Sequence, residues 1–119
     1  MIDPTAFIHD SAVVLGTVTL GARASVWPTA VIRADADHIE IGEDTNIQDG
    51  AIIGRGSLVG SGAVVTEGTV IPPDSLVLGV PARVVRALTP ELRERVAAGH
   101  VSYSAMKDRH RAGEFPRHR

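Results

Sequence analysis

Residues 41–77 read IGEDTN, IQDGAI, IGRGSL, VGSGAV, VTEGTV, IPPDSL and a closing V. Broken this way, every block opens on an aliphatic: Ile41, Ile47, Ile53, Val59, Val65, Ile71 and Val77. A period of six is neither the 3.6 of a helix nor the simple alternation of a long strand. It fits a short strand, a turn and another short strand, repeated, with one aliphatic pointing inward from each flat face. Three such faces close a triangular coil, and stacked coils make a parallel β-helix.

The same period extends toward the N-terminus in a second phase, through Ile2, Ile8, Val14, Leu20, Val26 and Ile32. The two phases are offset by three residues. The slip falls within Arg33-Ala34-Asp35-Ala36-Asp37-His38-Ile39-Glu40, where extra residues are expected to bulge outward as the one loop interrupting the prism. Two positions before each aliphatic from Val14 onward stands a small or β-branched residue, such as Ala24, Ala30, Thr45, Ala51, Ser57, Ala63 or Ser75, suited to a corner. Glycine often follows the aliphatic, at Gly21, Gly42, Gly54 and Gly60, relieving backbone crowding where the chain turns. A sandwich of short alternating strands is the competing fold, and thirteen hits in two phases disfavour it.

The composition agrees with a narrow prism. The chain has 119 residues, enough for one domain. It is 44% hydrophobic but only 3% aromatic, because large rings do not fit a thin axis. Such a Val- and Ile-rich chain argues against a helical bundle, a coiled coil and disorder. The absence of cysteine excludes disulfides, thiolate metal sites and a cysteine nucleophile. No apolar run has the length of a membrane span, and the start lacks signal-peptide features, so a cytoplasmic protein with no membrane partner is expected. The formal charge of −2 hides an acidic residue 1–87 portion and a basic remainder. That tail is too short and mixed to point to nucleic acid, and reads as a solvated helix face.

After the repeat, Thr89-Pro90-Glu91 reads as a helix start, with Thr at the N-cap, Pro at the first helical position and Glu in the first turn. Leu92, Val96, Gly99, Tyr103, Met106 and His110 recur at helical spacing, predicting one helix over about 90–111 that packs on the β-helix or on a neighbouring subunit. The expected organisation is therefore a β-helix over 1–87, a C-terminal helical segment over 88–113 and a short tail over 114–119.

Several stretches together resemble the γ-class carbonic anhydrase family: Ala6-Phe7-Ile8, Ser25-Val26-Trp27-Pro28, Arg33-Ala34-Asp35, Ile41-Gly42, Thr45-Asn46-Ile47-Gln48-Asp49, Ile71-Pro72-Pro73 and Leu78-Gly79-Val80-Pro81-Ala82-Arg83. Gly-Val-Pro-Ala-Arg also occurs in hexapeptide acyltransferases. The resemblance implies an all-β solenoid, a left-handed parallel β-helix of about four coils with one C-terminal α-helix, assembled as a homotrimer. It implies active sites between subunits, where three histidines hold a divalent metal such as zinc and metal-bound water attacks carbon dioxide. By the same resemblance Arg33 and Asp35 form intersubunit ion pairs, and Gln48 and Asp49 orient the metal-bound water.

The chain departs from that pattern at the metal. The position matching the first metal histidine is Gly54, and nothing matches the Gly-His…His pattern that supplies the other two. The hexad phase runs unbroken through 47, 53, 59 and 65, as it does when whole hexads are missing, whether by natural shortening or deliberate excision. His9, His38, His100, His110 and His118 show no ligand spacing on the repeat; His38, beside Asp35 and Asp37, is the best remaining candidate. The acidic run from Asp35 to Asp49 lacks the spacing of a calcium loop and reads as a solvated edge. Without metal, Asp49 is expected to pair with an arginine across an interface. The expectation is a structural or assembly scaffold with no cofactor, its small-molecule ligand unspecified. The alternatives are a zinc-dependent carbonic anhydrase, and a hexapeptide-type acyltransferase in which only His9 or His38 is placed to act as catalytic histidine.

Overall fold

The computed structural model describes residues 1–94. Residues Met1–Leu88 form one compact unit, and a second begins at Thr89.

The first unit is the solenoid that the hexads predict, of about four turns. Its strands are mostly two residues long, the length a flat face between two corners allows: β1 (Phe7–Ile8), β2 (Val13–Leu20), β3 (Ser25–Val26), β4 (Val31–Ile41), β5 (Asn46–Ile47), β6 (Ile52–Ile53), β7 (Leu58–Val59), β8 (Val64–Val65), β9 (Val70–Ile71), β10 (Ser75–Leu78) and β11 (Arg83–Ala87). The pairing is parallel except where β11 folds back antiparallel on β10. One sheet runs in the order β1-β3-β5-β8; the other contains β4, with β2, β6 and β7 paired to it.

The register sorts all thirteen aliphatics into three columns. Ile8, Val26, Ile47 and Val65 stack in one; Val14, Ile32, Ile53 and Ile71 in the second; Ile2, Leu20, Ile41, Val59 and Val77 in the third. From Leu20 to Val77 each is no more than 2% exposed. The first-coil members have a neighbour on one side only, which leaves Ile2 41% exposed and Ile8 and Val14 half-buried. Small corner residues fill the core between columns: Ala24, Ala30, Ala51 and Ala63 are at most 1% exposed. Where a corner residue carries a hydroxyl, the burial is compensated. Thr45 Oγ1 donates to the Gly60 carbonyl (3.2 Å) and Ser57 Oγ to the Pro72 carbonyl (3.1 Å), while Ser57 Oγ accepts from the Ser75 amide (3.1 Å).

A second periodicity, not read in the sequence, sets the corners. From Leu20 to Ile71, the third residue after each inward aliphatic has positive φ: Arg23, Thr29, Asp35, Asp44, Gly50, Gly56, Gly62, Gly68 and Asp74. Seven of these nine are Gly or Asp, the types that enter the left-handed region at least cost. Arg23, one of the two exceptions, is held by its neighbours. Its amide donates to Thr5 Oγ1 (2.9 Å), and its guanidinium reaches Asp44 at 2.7 and 3.1 Å. That partner holds the Arg23 pKa above its usual value.

The three-residue slip is resolved differently from the expected loop. Residues 31–41 stay in one strand, β4, and the extra residues form a bulge between the Leu15–Arg33 and Thr17–His38 pairs of the β2–β4 ladder. Asp35 and Ala36 are exposed, but Ala34 is fully buried. A bulge keeps both flanking halves of the strand hydrogen-bonded, which an excursion into solvent would not.

In the second unit, residues 90–94 are helical, and the Leu92 amide donates to Thr89 Oγ1 at 3.1 Å, the expected N-cap bond. The rest of the predicted helix and tail, including Val96, Gly99, Tyr103, Met106 and His110, lies outside the described residues.

Candidate functional site

The face formed by β1, β3, β5 and β8 holds Gln48 and Asp49. On a two-residue strand whose second residue points inward, the residues just before and after it point outward. Because the coils are in register, these outward positions stack: Phe7, Ser25, Asn46 and Val64 in one row, His9, Trp27, Gln48 and Thr66 in the next. Asp49 and Glu67 follow at the corner, joined by the Gly68 amide, which donates to the Asp49 carbonyl (2.9 Å).

Trp27, Asn46, Gln48, Asp49 and Glu67 line an open cleft of about 380 Å3. Its aromatic wall is braced. The indole Nε1 of Trp27 donates to Ser25 Oγ (3.0 Å), and the Phe7 ring lies 5.1 Å from the indole, tilted at 46°. Gln48 is oriented by accepting, through Oε1, from the Glu67 amide (3.2 Å). Asn46 Oδ1 is buried with no hydrogen-bond partner. Neither Asp49 nor Glu67 belongs to an ion pair among the described residues.

The structure thus brings Gln48 and Asp49 together in one cleft. It places Arg33 and Asp35 elsewhere, on β4 in the other sheet. There Arg33 Nε and Asp35 Oδ1 are 2.8 Å apart within one chain, both largely exposed. Sequence reasoning missed Trp27 and Glu67 as partners of Gln48 and Asp49. The signal was present: Trp27 and Gln48 each directly follow an inward aliphatic, and Asp49 and Glu67 are each two residues past one, so the repeat itself stacks them.

The donor set tests whether the three-histidine metal centre fits. His9 Nδ1 is 2.9 Å from Ser11 Oγ and accepts from the Ser11 amide (3.1 Å), a local turn bond. His38 Nδ1 lies 3.3 Å from Asp37 Oδ1. Among the described residues no group of three His, Cys, Asp or Glu side chains is placed to hold a metal ion. His100, His110 and His118 lie outside the described residues.

Gly54 is closed to any side chain. A Cβ there would stand 2.4 Å from the Pro73 nitrogen, 2.7 Å from the Pro72 carbonyl carbon and 2.8 Å from the Ile71 oxygen. All three are backbone atoms of the next coil, and the Gly54 amide is bonded to that same Ile71 carbonyl at 2.8 Å. The described residues do not fit the metal group.

Comparison with known proteins gives a consistent placement. A probable carbonic anhydrase of Methanocaldococcus jannaschii is 39% identical over 153 aligned positions, covering 91% of this chain and 96% of that protein. The alignment takes in about 108 residues of this chain (91% of 119), so about 45 of its 153 positions have no counterpart here. A carbonic anhydrase of Methanosarcina thermophila is 46% identical over 54 residues, 44% of this chain and 22% of that protein. Over several other curated relatives, too, the matched segment spans only about a quarter of the relative's length. Among solved structures, serine acetyltransferase of Brucella abortus in complex with coenzyme A superposes with a TM-score of 0.59 at 21% identity, over 74% of this chain and 42% of that one, a likeness of fold. No family model matches the chain.

Proposed function

This chain belongs to the γ-class carbonic anhydrase-like hexapeptide-repeat family, and from that premise we propose that it is a member without the catalytic metal, a homotrimeric β-helical scaffold. The observation that carries the reading is Gly54. At Gly54, the position that the resemblance matches to the first metal histidine, a Cβ would meet the backbone of the following coil, which supports a loss that is built into how the coils stack. The Methanocaldococcus jannaschii relative has about 45 positions without a counterpart here, more than two coils of 18 residues, which supports the loss of the coils that would carry the other histidines.

Support for self-association comes from the sheet containing β4. Val13, Val31, Ile52 and Val70 are in register and point outward from successive coils. Val13, Ile52 and Val70 are 38, 42 and 64% exposed, an apolar ladder running along the prism beside Arg33 and Asp35. Such a ladder calls for a cover. In a closed three-fold ring, one face of each subunit meets a different face of the next. An ion pair beside the ladder then sets the register of that contact.

Sedimentation velocity and a carbon dioxide hydration assay on zinc-, cobalt- or iron-supplemented protein test the reading together. The expected result is a trimer that hydrates carbon dioxide no faster than buffer, with Arg33→Ala weakening the trimer. A monomer, or metal-dependent turnover, overturns it.

A further inference from the structure

We propose that the outer edge of β11 (Arg83–Ala87) is a docking site for an extended acidic peptide, which adds to the sheet as one more strand. The inference stands apart from the scaffold reading, since metal found elsewhere on the chain would leave it untouched.

At the C-terminal end of the solenoid the three faces finish differently. Below β8, the Val64 amide donates to the Gly79 carbonyl (3.1 Å) and the Ala82 amide to the Val64 carbonyl (2.8 Å), so residues 79–82 cover that strand. β9 runs straight into Pro72 and Pro73, which have no N–H to carry a ladder onward. On the third face β11 pairs with β10 and is the last strand of its sheet among the described residues. All five of its residues are exposed. An edge of this kind turns backbone N–H and C=O groups toward solvent, and an added strand satisfies them.

A bulge sets the charge of that edge. Leu76 stands opposite Arg86 and Val77 opposite Val84, so Val85 is the extra residue. Residues three apart on a regular strand face opposite sides. The bulge instead brings both Arg83 and Arg86 to the outward side, opposite Leu78 and Leu76, which flank the inward Val77. Neither arginine belongs to an ion pair among the described residues. Leu76 and Leu78 are two residues apart, so the two arginine positions lie about 7 Å apart along the edge. Carboxylates at alternate positions of an extended partner repeat at the same distance and meet them as opposite-charge cross-strand pairs. The same charges disfavour a second copy as the occupant. Antiparallel pairing of two β11 strands would gather four arginines on one face, and like charges across strands are destabilising.

The test titrates a fluorescein-labelled Glu-Val-Glu-Val-Glu peptide with the full chain and follows fluorescence anisotropy. Two control peptides separate the contributions. The same peptide N-methylated at every residue keeps the charge and loses the ladder; Lys-Val-Lys-Val-Lys keeps the ladder and reverses the charge. The acidic peptide is expected to bind saturably. Its N-methylated form is expected to bind at least ~10-fold more weakly, as the loss of two backbone bonds predicts, and the lysine peptide more weakly by at least as much. In an Arg83→Gln/Arg86→Gln double variant of native circular dichroism, affinity for the acidic peptide is expected to fall at least ~10-fold. No saturable binding, equal binding of the N-methylated or lysine peptide, or an affinity unchanged in the double variant overturns the proposal. So does a peptide that dissociates an oligomer of the parent in sedimentation velocity, which places a second copy on the edge.

Discussion

Replacing Gly54 with alanine adds one methyl group at a crowded corner of the solenoid. The new carbon would sit 2.4 Å from the Pro73 nitrogen and 2.7 Å from the Pro72 carbonyl carbon. Ordinary contact needs about 1 Å more, and because both partners are backbone, no rotamer change supplies it. The corner has to move away from β6, which strains the Gly54 amide to Ile71 carbonyl bond (2.8 Å) and the neighbouring Asp74 amide to Arg55 carbonyl bond (2.9 Å). At roughly 1 kcal/mol net for each bond and about 1–3 kcal/mol for overpacking, the loss is about 3–5 kcal/mol. Gly62→Ala is the matched control. Its Cβ meets nothing within 4 Å, but its φ is +74°, so it bears only the left-handed penalty of about 1–2 kcal/mol. Urea unfolding followed by far-UV circular dichroism, at one fixed protein concentration, measures both. Gly54→Ala is expected to lose about 1–4 kcal/mol more than Gly62→Ala. If Gly54→Ala unfolds within about 0.5 kcal/mol of the parent, the site accommodates a side chain, and the steric case against a histidine there fails.

Three further substitutions test other parts of the account. Ile47→Ala, in a column between Val26 and Val65 and fully buried, is expected to cost about 2–5 kcal/mol in the same unfolding assay; a loss below about 1 kcal/mol would mean the columns are not the core. Ser57→Ala removes the acceptor of the Ser75 amide and the donor to the Pro72 carbonyl at a buried corner, for an expected loss of about 1–3 kcal/mol, with Ser57→Thr as a check on whether the hydroxyl matters. Asp3 accepts from the Thr5 hydroxyl and amide, and these bonds hold its pKa below the usual carboxylate value. A folded pKa below the unfolded one contributes stability that is present above the unfolded value and lost as pH falls through the folded value. Asp3→Asn is therefore expected to lower the urea midpoint at neutral pH and to lose that pH-dependent part of the difference in strong acid; a difference constant with pH would remove the assignment.

The fold was legible because one force dominates it. A single buried aliphatic per hexad leaves a periodic trace, and the register reproduces all thirteen positions that the sequence marks. What escaped was set by backbone geometry. The positive-φ series is mixed in type, with Arg23 and Thr29 among the glycines and aspartates, so no residue class announces it. The insert at 34–37 was placed correctly in the chain, but the buried Ala34 shows that ladder hydrogen bonds favour a bulge over a loop. At the candidate site, Gln48 and Asp49 were visible through resemblance. Trp27 and Glu67 join them only through coil stacking, across 21 and 18 residues of sequence respectively, measured from Gln48 to Trp27 and from Asp49 to Glu67. The closed space at Gly54 belongs to the same class: a glycine beside a turn looks like any other until the next coil is laid on it.

Among the described residues no group of three His, Cys, Asp or Glu side chains is placed to hold a metal ion, and we propose that the chain binds none. Metal content of the purified full chain, after equilibration with excess zinc or cobalt and gel filtration, tests it most directly. The account predicts metal at the level of a protein-free blank. Stoichiometric metal retained through the column, one ion for each chain and accompanied by carbon dioxide hydration, would contradict it.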